Sequence, residues 1–424
     1  MTSTDPTAST PDLTASADAP KPQPAAAPAD VAVHAEATAQ PGLTAPPRRR
    51  STAVVLGIIG VIILAVVALF LVGYLIIGLG PDAFALGGIM ALVPLAIVFF
   101  GVRWVDRWEP EPRLAVVFAF LWGAVVAVII ALVVGAGVDP LITALSGGDE
   151  FGYEFIGAAI QAPLVEESAK GLGLLVIFFA ARKYFDGPVD GVVYAAWIAG
   201  GFAFTENILY FGGQLLDSGT IASGSVGEIF LIRGIMSPFA HIMFTAATGI
   251  AVGFAARFKN PLAAIGLYFV GIIPAMFLHG LWNGSLFFVS DFYGYYAIVQ
   301  FPLFVFAVLL VFFLRRQESK LTHDRLSEYA AAGWFAQDEV PALSTPAGRR
   351  GALAWAARSG KRKEMKRYIQ DATRLAFARQ RIITNRGGIG AQADEAALLG
   401  AIVESRKNLV GYDHPGTPTP APVA

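Results

Sequence analysis

From residue 53 to residue 314 the chain is a succession of long apolar runs separated by short polar joints. Eight runs can be marked, over approximately 53–79, 84–102, 114–138, 153–181, 188–212, 228–256, 261–289 and 295–314. Each approaches or exceeds the roughly 20 residues that a helix needs to cross about 30 Å of hydrocarbon. A backbone in hydrocarbon finds no water, so every run is predicted to be a helix that closes its own hydrogen bonds. The expected fold class is all-α, a polytopic membrane bundle of about eight transmembrane helices.

The flanks read differently. Residues 1–47 are rich in Ala, Pro, Thr and Asp and lack apolar periodicity, so a disordered tail is expected over 1–50. It is too long and too polar for a secretory signal, and no obvious cleavage site precedes the first run. The membrane domain is expected over 51–316. Beyond it, 317–410 shows interrupted helical periodicity, with Leu353, Trp355, Tyr368, Ile369, Leu375 and Phe377 as a face to bury. A cytoplasmic helical domain is predicted there. Its basic stretch, Lys361-Arg362-Lys363-Glu364-Met365-Lys366-Arg367, either rests on anionic headgroups or is a solvated face. The Pro-rich 411–424 reads as a second disordered tail.

Charge placement orients the bundle. One set of joints receives Arg48–Arg50, then Arg103, Arg107 and Arg113, then Arg182 with Lys183, Arg257 with Lys259, and Arg315 with Arg316. The alternate joints, about 80–83, 139–152, 213–227 and 290–294, hold no Lys or Arg. The positive-inside rule then puts both termini in the cytoplasm of a multi-pass cell-membrane protein. Bulk composition agrees: 55% hydrophobic, 15% charged, mean hydropathy +0.59. The absence of cysteine excludes disulfides and thiolate metal sites.

Ionisable groups inside the apolar runs carry the functional signal, since each costs roughly 2.5–3.5 kcal/mol at mid-bilayer even on the lenient insertion scale. They are Glu166, Glu167 and Lys170 on the fourth run, Glu206 on the fifth, Arg233 and His241 on the sixth, and His279 on the seventh. Glu166 with Lys170, Glu206 with Tyr210 and His279 with Asn283 are each four residues apart, hence on one helix face. Glu167 lies about 100° round from Glu166, so the two carboxylates take different roles. Counted along the helices, the groups fall in the middle or outer part of the bilayer, roughly 9–20 Å from its outer edge. A buried polar chamber shared by four helices is expected. Arg233 is read as structural, paired with a carboxylate or reaching the outer interface.

Buried carboxylates, two histidines, an amide and a phenol suit hydrolysis: a carboxylate takes a proton from water, and an imidazole holds that water, ligates a metal or donates to an oxyanion. No HExxH, GxSxG or Walker motif is present, and Ser168 has no His near it in sequence. Glu166, His241 and His279 can form a zinc site with one open position; water activation without a metal fits the same residues.

Five pieces resemble the PrsW family of intramembrane proteases, within the superfamily that includes CAAX prenyl proteases. They are Asp106-Arg107-Trp108-Glu109-Pro110-Glu111-Pro112, Glu166-Glu167-Ser168-Ala169-Lys170, Glu206-Asn207 with Tyr210, Pro238-Phe239-Ala240-His241, and His279-Gly280-Leu281-Trp282-Asn283. The resemblance implies that Glu166 and Glu167 are the catalytic glutamate pair, with one activating water. It implies that His241 and His279 bind that water or a metal, and that Asn283 supports the oxyanion, with Lys170, Glu206 and Tyr210 in support. The implied partners are membrane lipid and a membrane-anchored protein substrate of the anti-sigma-factor kind; nucleic acid is not expected. Two departures, Ser237 where the superfamily often has Phe and Lys170 where the CAAX branch has a later Arg, favour PrsW over prenyl-protein processing. Two other classes fit a membrane bundle with buried charges: a non-catalytic scaffold of the same superfamily, and an ion- or proton-coupled transporter. Retention of Glu166, Glu167, His241 and His279 argues against the first, and the lack of a clear internal repeat argues against the second.

Overall fold

The computed structural model describes residues 52–182, 185–386 and 390–410. The tails expected over 1–50 and 411–424, with Arg48–Arg50, and the basic residue Lys183 lie outside the described residues. The described chain is helical. In order it forms α1 (Thr52–Leu79), α2 (Pro81–Val105), α3 (Arg113–Leu145), α4 (residues 150–180), α5 (Pro188–Ser218), α6 (residues 224–236), α7 (Ala240–Ala255), α8 (Ala263–Ser285) and α9 (Phe292–Ala331). Four further helices follow: α10 (Glu339–Ser344), α11 (Pro346–Arg358), α12 (Arg362–Ile383) and α13 (Ala391–Val410).

Seven stretches are long and apolar enough to cross a membrane, with α6 and α7 together forming one of them. The eight apolar runs of the sequence correspond to these seven and to α4. Helix α4 stands apart because Glu166, Glu167 and Lys170 interrupt its apolar content, and all three are enclosed by neighbouring helices. Burial grades the bundle: 78% of the most apolar stretch of α5 is buried, against 11% for α1 and α9. Helix α5 is therefore the hub, and α1 and α9 present their Leu, Ile and Phe side chains to lipid.

Small residues let the hub approach its neighbours. A Cβ on Gly191 would lie 1.9 Å from the carbonyl oxygen of Gly249, so α5 and α7 touch backbone to backbone. A Cβ on Gly123 would lie 1.8 Å from the Ile198 carbonyl, which brings α3 equally close. Dispersion over such contacts replaces the hydrophobic drive that lipid does not supply.

Two irregularities bear on the site. Helix α4 contains a π-helical turn at Ile156–Gln161. Helix α6 ends in another, Leu231–Met236, and the chain breaks at residues 237–239 before α7 begins. Pro238 explains the break, because it has no N–H to continue the ladder and disfavours helix in the residue before it. The Ile232 carbonyl accepts from both the N–H and Oγ of Ser237, at 3.0 and 2.6 Å, and the Met236 carbonyl accepts from the Tyr296 hydroxyl on α9 at 2.5 Å.

The last span does not end at residue 314. Helix α9 continues unbroken to Ala331, about 60 Å in all, and its C-terminal part enters a separate apolar core with Leu326, Tyr329, Phe335, Met365, Tyr368, Ile369, Leu375 and Ile402. This C-terminal unit is tied to the membrane domain: Arg381 Nη1 contacts both oxygens of Asp186 at 2.7 Å, Arg386 donates to the Ala256 carbonyl, and Arg349 lies over Trp108.

Candidate active site

The buried charges of α4 to α8 form one cluster. Helix α4 presents Glu166, Glu167 and Lys170 on adjoining faces, as their spacing requires. The ammonium of Lys170, wholly enclosed, lies 2.9 Å from Glu167 Oε1, 3.2 Å from Glu166 Oε2 and 3.2 Å from His241 Nδ1. Its three donors have three acceptors, and the Phe202 ring lies 3.9 Å from its charge.

The two glutamates differ in what surrounds them. Glu167 has no exposed surface and is fully engaged: Oε1 accepts from Lys170 and from His279 Nδ1 at 3.1 Å, and Oε2 accepts from Thr245 Oγ1 at 2.8 Å. Glu166 keeps 12% of its side chain exposed and lies 3.9 Å from His279 Nε2. Glu166 is therefore the carboxylate with an open edge.

Glu206 occupies the other flank. Its Oε2 lies 2.7 Å from His241 Nε2 and accepts from Arg233 Nη2 at 2.6 Å. Arg233 also donates through Nε to Asn207 Oδ1 at 3.0 Å, and its guanidinium lies over the Tyr210 ring at 3.8 Å. Tyr210 is thus joined to the cluster through Arg233, which pairs with a carboxylate as its position suggested. Asn283 has another partner: its amide donates to the Ala158 carbonyl in the π-helical turn of α4, at 2.9 Å, tying α8 to α4. The Ser168 hydroxyl donates to the Leu164 carbonyl within its own helix.

Thr245 and Phe202 join the network without having been singled out from sequence, whereas Asn207 was part of the Glu206-Asn207 motif. Thr245 was legible in principle, being four residues after His241 on one helix face. Phe202 carried no signal, as one phenylalanine among 31.

The network sets the imidazole tautomers. Lys170 donates to His241 Nδ1, so the His241 proton sits on Nε2, facing Glu206. Glu167 accepts from His279 Nδ1, which leaves the lone pair of Nε2 directed toward Glu166. One donor atom each from Glu166, His241 and His279 lies within 4.8 Å of the others. Carboxylate-backed histidines beside a third ligand are the arrangement that orients metal-binding imidazoles, and the donor set fits a divalent cation of the zinc type. Lys170 already places one positive charge in the same cage.

The acidic loop between α2 and α3 lies away from this cluster, at the membrane-domain face that meets the C-terminal unit. Asp106 Oδ1 accepts from the Glu111 N–H at 3.1 Å, and the Tyr194 hydroxyl donates to Glu111 Oε2 at 2.5 Å. Burial pushes the Asp106 carboxyl up to about 6. Burial and neighbouring carboxylates push Glu109 and Glu111 well above the usual carboxylate range.

Residues 111–311 match the family described as PrsW family intramembrane metalloprotease. The chain is 27% identical over 195 residues to Protease PrsW of Clostridioides difficile (strain 630), covering 46% of this chain and 76% of that protein. It is 29% identical over 191 residues to Protease PrsW of Geobacillus kaustophilus (strain HTA426), covering 45% and 75%. To Protease PrsW of Bacillus subtilis (strain 168) it is 26% identical over 201 residues, covering 47% and 81%. The C-terminal unit lies beyond the family match, and no solved structure matches the chain. The resemblance carried by the motifs is borne out: the stretch that holds the buried carboxylates and histidines matches in sequence the PrsW family, a family of intramembrane peptidases.

Proposed function

We propose that this chain hydrolyses a peptide bond in a membrane-anchored regulatory protein of the anti-sigma-factor kind, near the outer side of the bilayer. The observation that carries the reading is the convergence of one donor atom each from Glu166, His241 and His279 within 4.8 Å, inside a bundle of membrane-spanning helices. The alternation of Lys- and Arg-bearing joints supports a cell-membrane protein with both termini cytoplasmic. His279 lies six residues before the end of α8, about 9 Å along the axis, which supports an outward bias of cleavage.

In this mechanism Glu166 holds the attacking water and accepts its proton, because Glu167 is saturated by Lys170, Thr245 and His279. The hydroxide adds to the scissile carbonyl carbon, and the cationic charge that Lys170 holds in the cluster stabilises the developing oxyanion. The proton returns through Glu166 to the amide nitrogen as the C–N bond breaks. Glu167 and Glu206 orient His279 and His241. As an alternative to that role of Glu166, the carboxylate together with His241 and His279 would hold a zinc ion, which would supply Lewis-acid polarisation and lower the pKa of the water.

The test is a comparison of membrane-anchored proteins in cells carrying the native chain and cells carrying Glu166→Gln at matched expression. The expected result is a single-span protein that loses its outer domain only with the native chain. Identical membrane proteomes under membrane stress would overturn the reading.

A further inference from the structure

A second candidate site lies where the C-terminal unit meets the membrane domain, apart from the buried cluster. A cleft of about 1940 Å³ opens there between α12 and the ends of α2 and α3. One wall is the outward strip of α12, where Lys363, Lys366, Arg367 and Arg374 are exposed. The opposite strip of the same helix, with Met365, Tyr368, Ile369 and Leu375, is buried in the C-terminal core. The facing wall carries Arg103 and Arg113 and continues onto Phe99 and Val117, exposed apolar residues on the membrane-spanning parts of α2 and α3.

Charge in the cleft is unbalanced toward the positive. Eleven of its lining residues are Lys or Arg and seven are Asp or Glu. Several of the acids are engaged within the protein: Asp186 with Arg381, Glu111 with Tyr194, and Asp106 with the Glu111 N–H. Lys363, Lys366 and Arg113, in contrast, form no ion pair among the described residues. Three buried polar atoms of the lining lack a hydrogen-bond partner among the described residues: the donors Nε1 of Trp197 and Nη1 of Arg182, and the acceptor Oε2 of Glu364. Trp197 is 8% exposed, so its indole N–H has lost water without gaining an acceptor.

We propose that this cleft binds an anionic phospholipid of the adjoining leaflet, with the phosphate-bearing headgroup between α12 and the α2/α3 ends and the acyl chains along Phe99 and Val117. The headgroup chemistry is a phosphodiester anion, which supplies the acceptors that Trp197 and Arg182 lack and the charge that Lys363, Lys366, Arg367 and Arg374 attract. A soluble phosphate compound shares that chemistry and has no use for an apolar wall that runs into the bilayer. The site does not depend on the peptidase reading.

The full chain, purified in detergent, is to be examined by native mass spectrometry with phosphatidylglycerol and phosphatidylcholine of the same acyl chains, and with inorganic phosphate or ATP alone. Retention of phosphatidylglycerol in preference to phosphatidylcholine is expected. The exposed quadruple variant Lys363→Glu, Lys366→Glu, Arg367→Glu, Arg374→Glu, checked for unchanged helix content, should weaken that retention by about two to three orders of magnitude. A double variant, Lys363→Gln with Lys366→Gln, should weaken it by a smaller factor and guards against misfolding of the quadruple one. Equal retention of the two lipids, undiminished binding by both variants, or equally strong binding of phosphate or ATP would each overturn the proposal.

Discussion

The ammonium of Lys170 lies 3.2 Å from Nδ1 of His241, on the lone pair that this imidazole would offer to a metal ion. Lys170 also contacts Glu166, so it touches two of the three candidate ligands. A dication and an ammonium about 4 Å apart repel by roughly 8 kcal/mol at an effective dielectric near 20. Metal binding therefore requires Lys170 to withdraw. Lys170→Met is expected to raise zinc affinity at least about tenfold while lowering metal-free stability. Calorimetric titration of purified protein, with elemental analysis of bound metal, checks this; unchanged affinity would rule out competition.

The two glutamates should separate in their effects. Glu166→Gln is expected to lower cleavage of a single-span reporter by about 10²–10⁴-fold with little loss of folded protein. Glu167→Gln should destabilise as well, by about 3–5 kcal/mol, because Lys170 loses its shortest buried counter-charge. Equal folded yields for the two variants would contradict the roles assigned to them.

Arg233 acts on His241 through Glu206. Arg233→Ala should mainly reduce folded yield, with a partial loss of cleavage in the protein that remains. Arg233→Lys should restore the charge but not the paired contacts to Glu206 and Asn207, since one ammonium cannot reproduce the guanidinium fork. Reporter cleavage per folded molecule is the readout, and full recovery with Lys would show that charge alone suffices.

Asn283→Ala removes the hydrogen bond to Ala158 and leaves that carbonyl of the π-helical turn without its partner. A stability loss of about 1–3 kcal/mol is expected, seen as a lower unfolding midpoint, with a reduced cleavage rate. A large rate loss with an unchanged midpoint would instead favour a direct role at the oxyanion.

The loop at Asp106 should respond to pH. Burial raises its carboxyl from 3.8 to about 6, so the folded state holds this proton more tightly than the unfolded chain. Its stabilising contribution is complete below about pH 4 and is lost as pH rises through about 6. Unfolding midpoints between about pH 4 and pH 7 should fall less steeply in Asp106→Asn than in the native protein. Parallel profiles would remove Asp106 from the account.

Much of the architecture was legible because hydrocarbon is an unforgiving solvent. Apolar runs must become helices there, and the composition of α1, α2 and α3 announces it without help from neighbours. The same physics marked Glu166, Glu167, Glu206, His241 and His279, since charge in such runs is costly. Helix α4 was visible as an apolar run, yet its charges set it apart from the seven plainly apolar stretches. The continuation of α9 past residue 314 was hidden, because a helix crossing from lipid to water keeps its hydrogen bonds while its composition changes.

Residue identity and spacing thus determined that helices span a membrane, which polar groups they carry and which of those share a face. Only the tertiary structure decided that Glu167 is saturated while Glu166 stays open, that Lys170 sits on His241 Nδ1, and that Asn283 bonds Ala158. Spacing along one helix specifies directions relative to that helix alone. Which atoms meet depends on the rotation and depth of α5, α7 and α8 against α4, and close contacts such as Gly191 with Gly249 set those only when the helices pack.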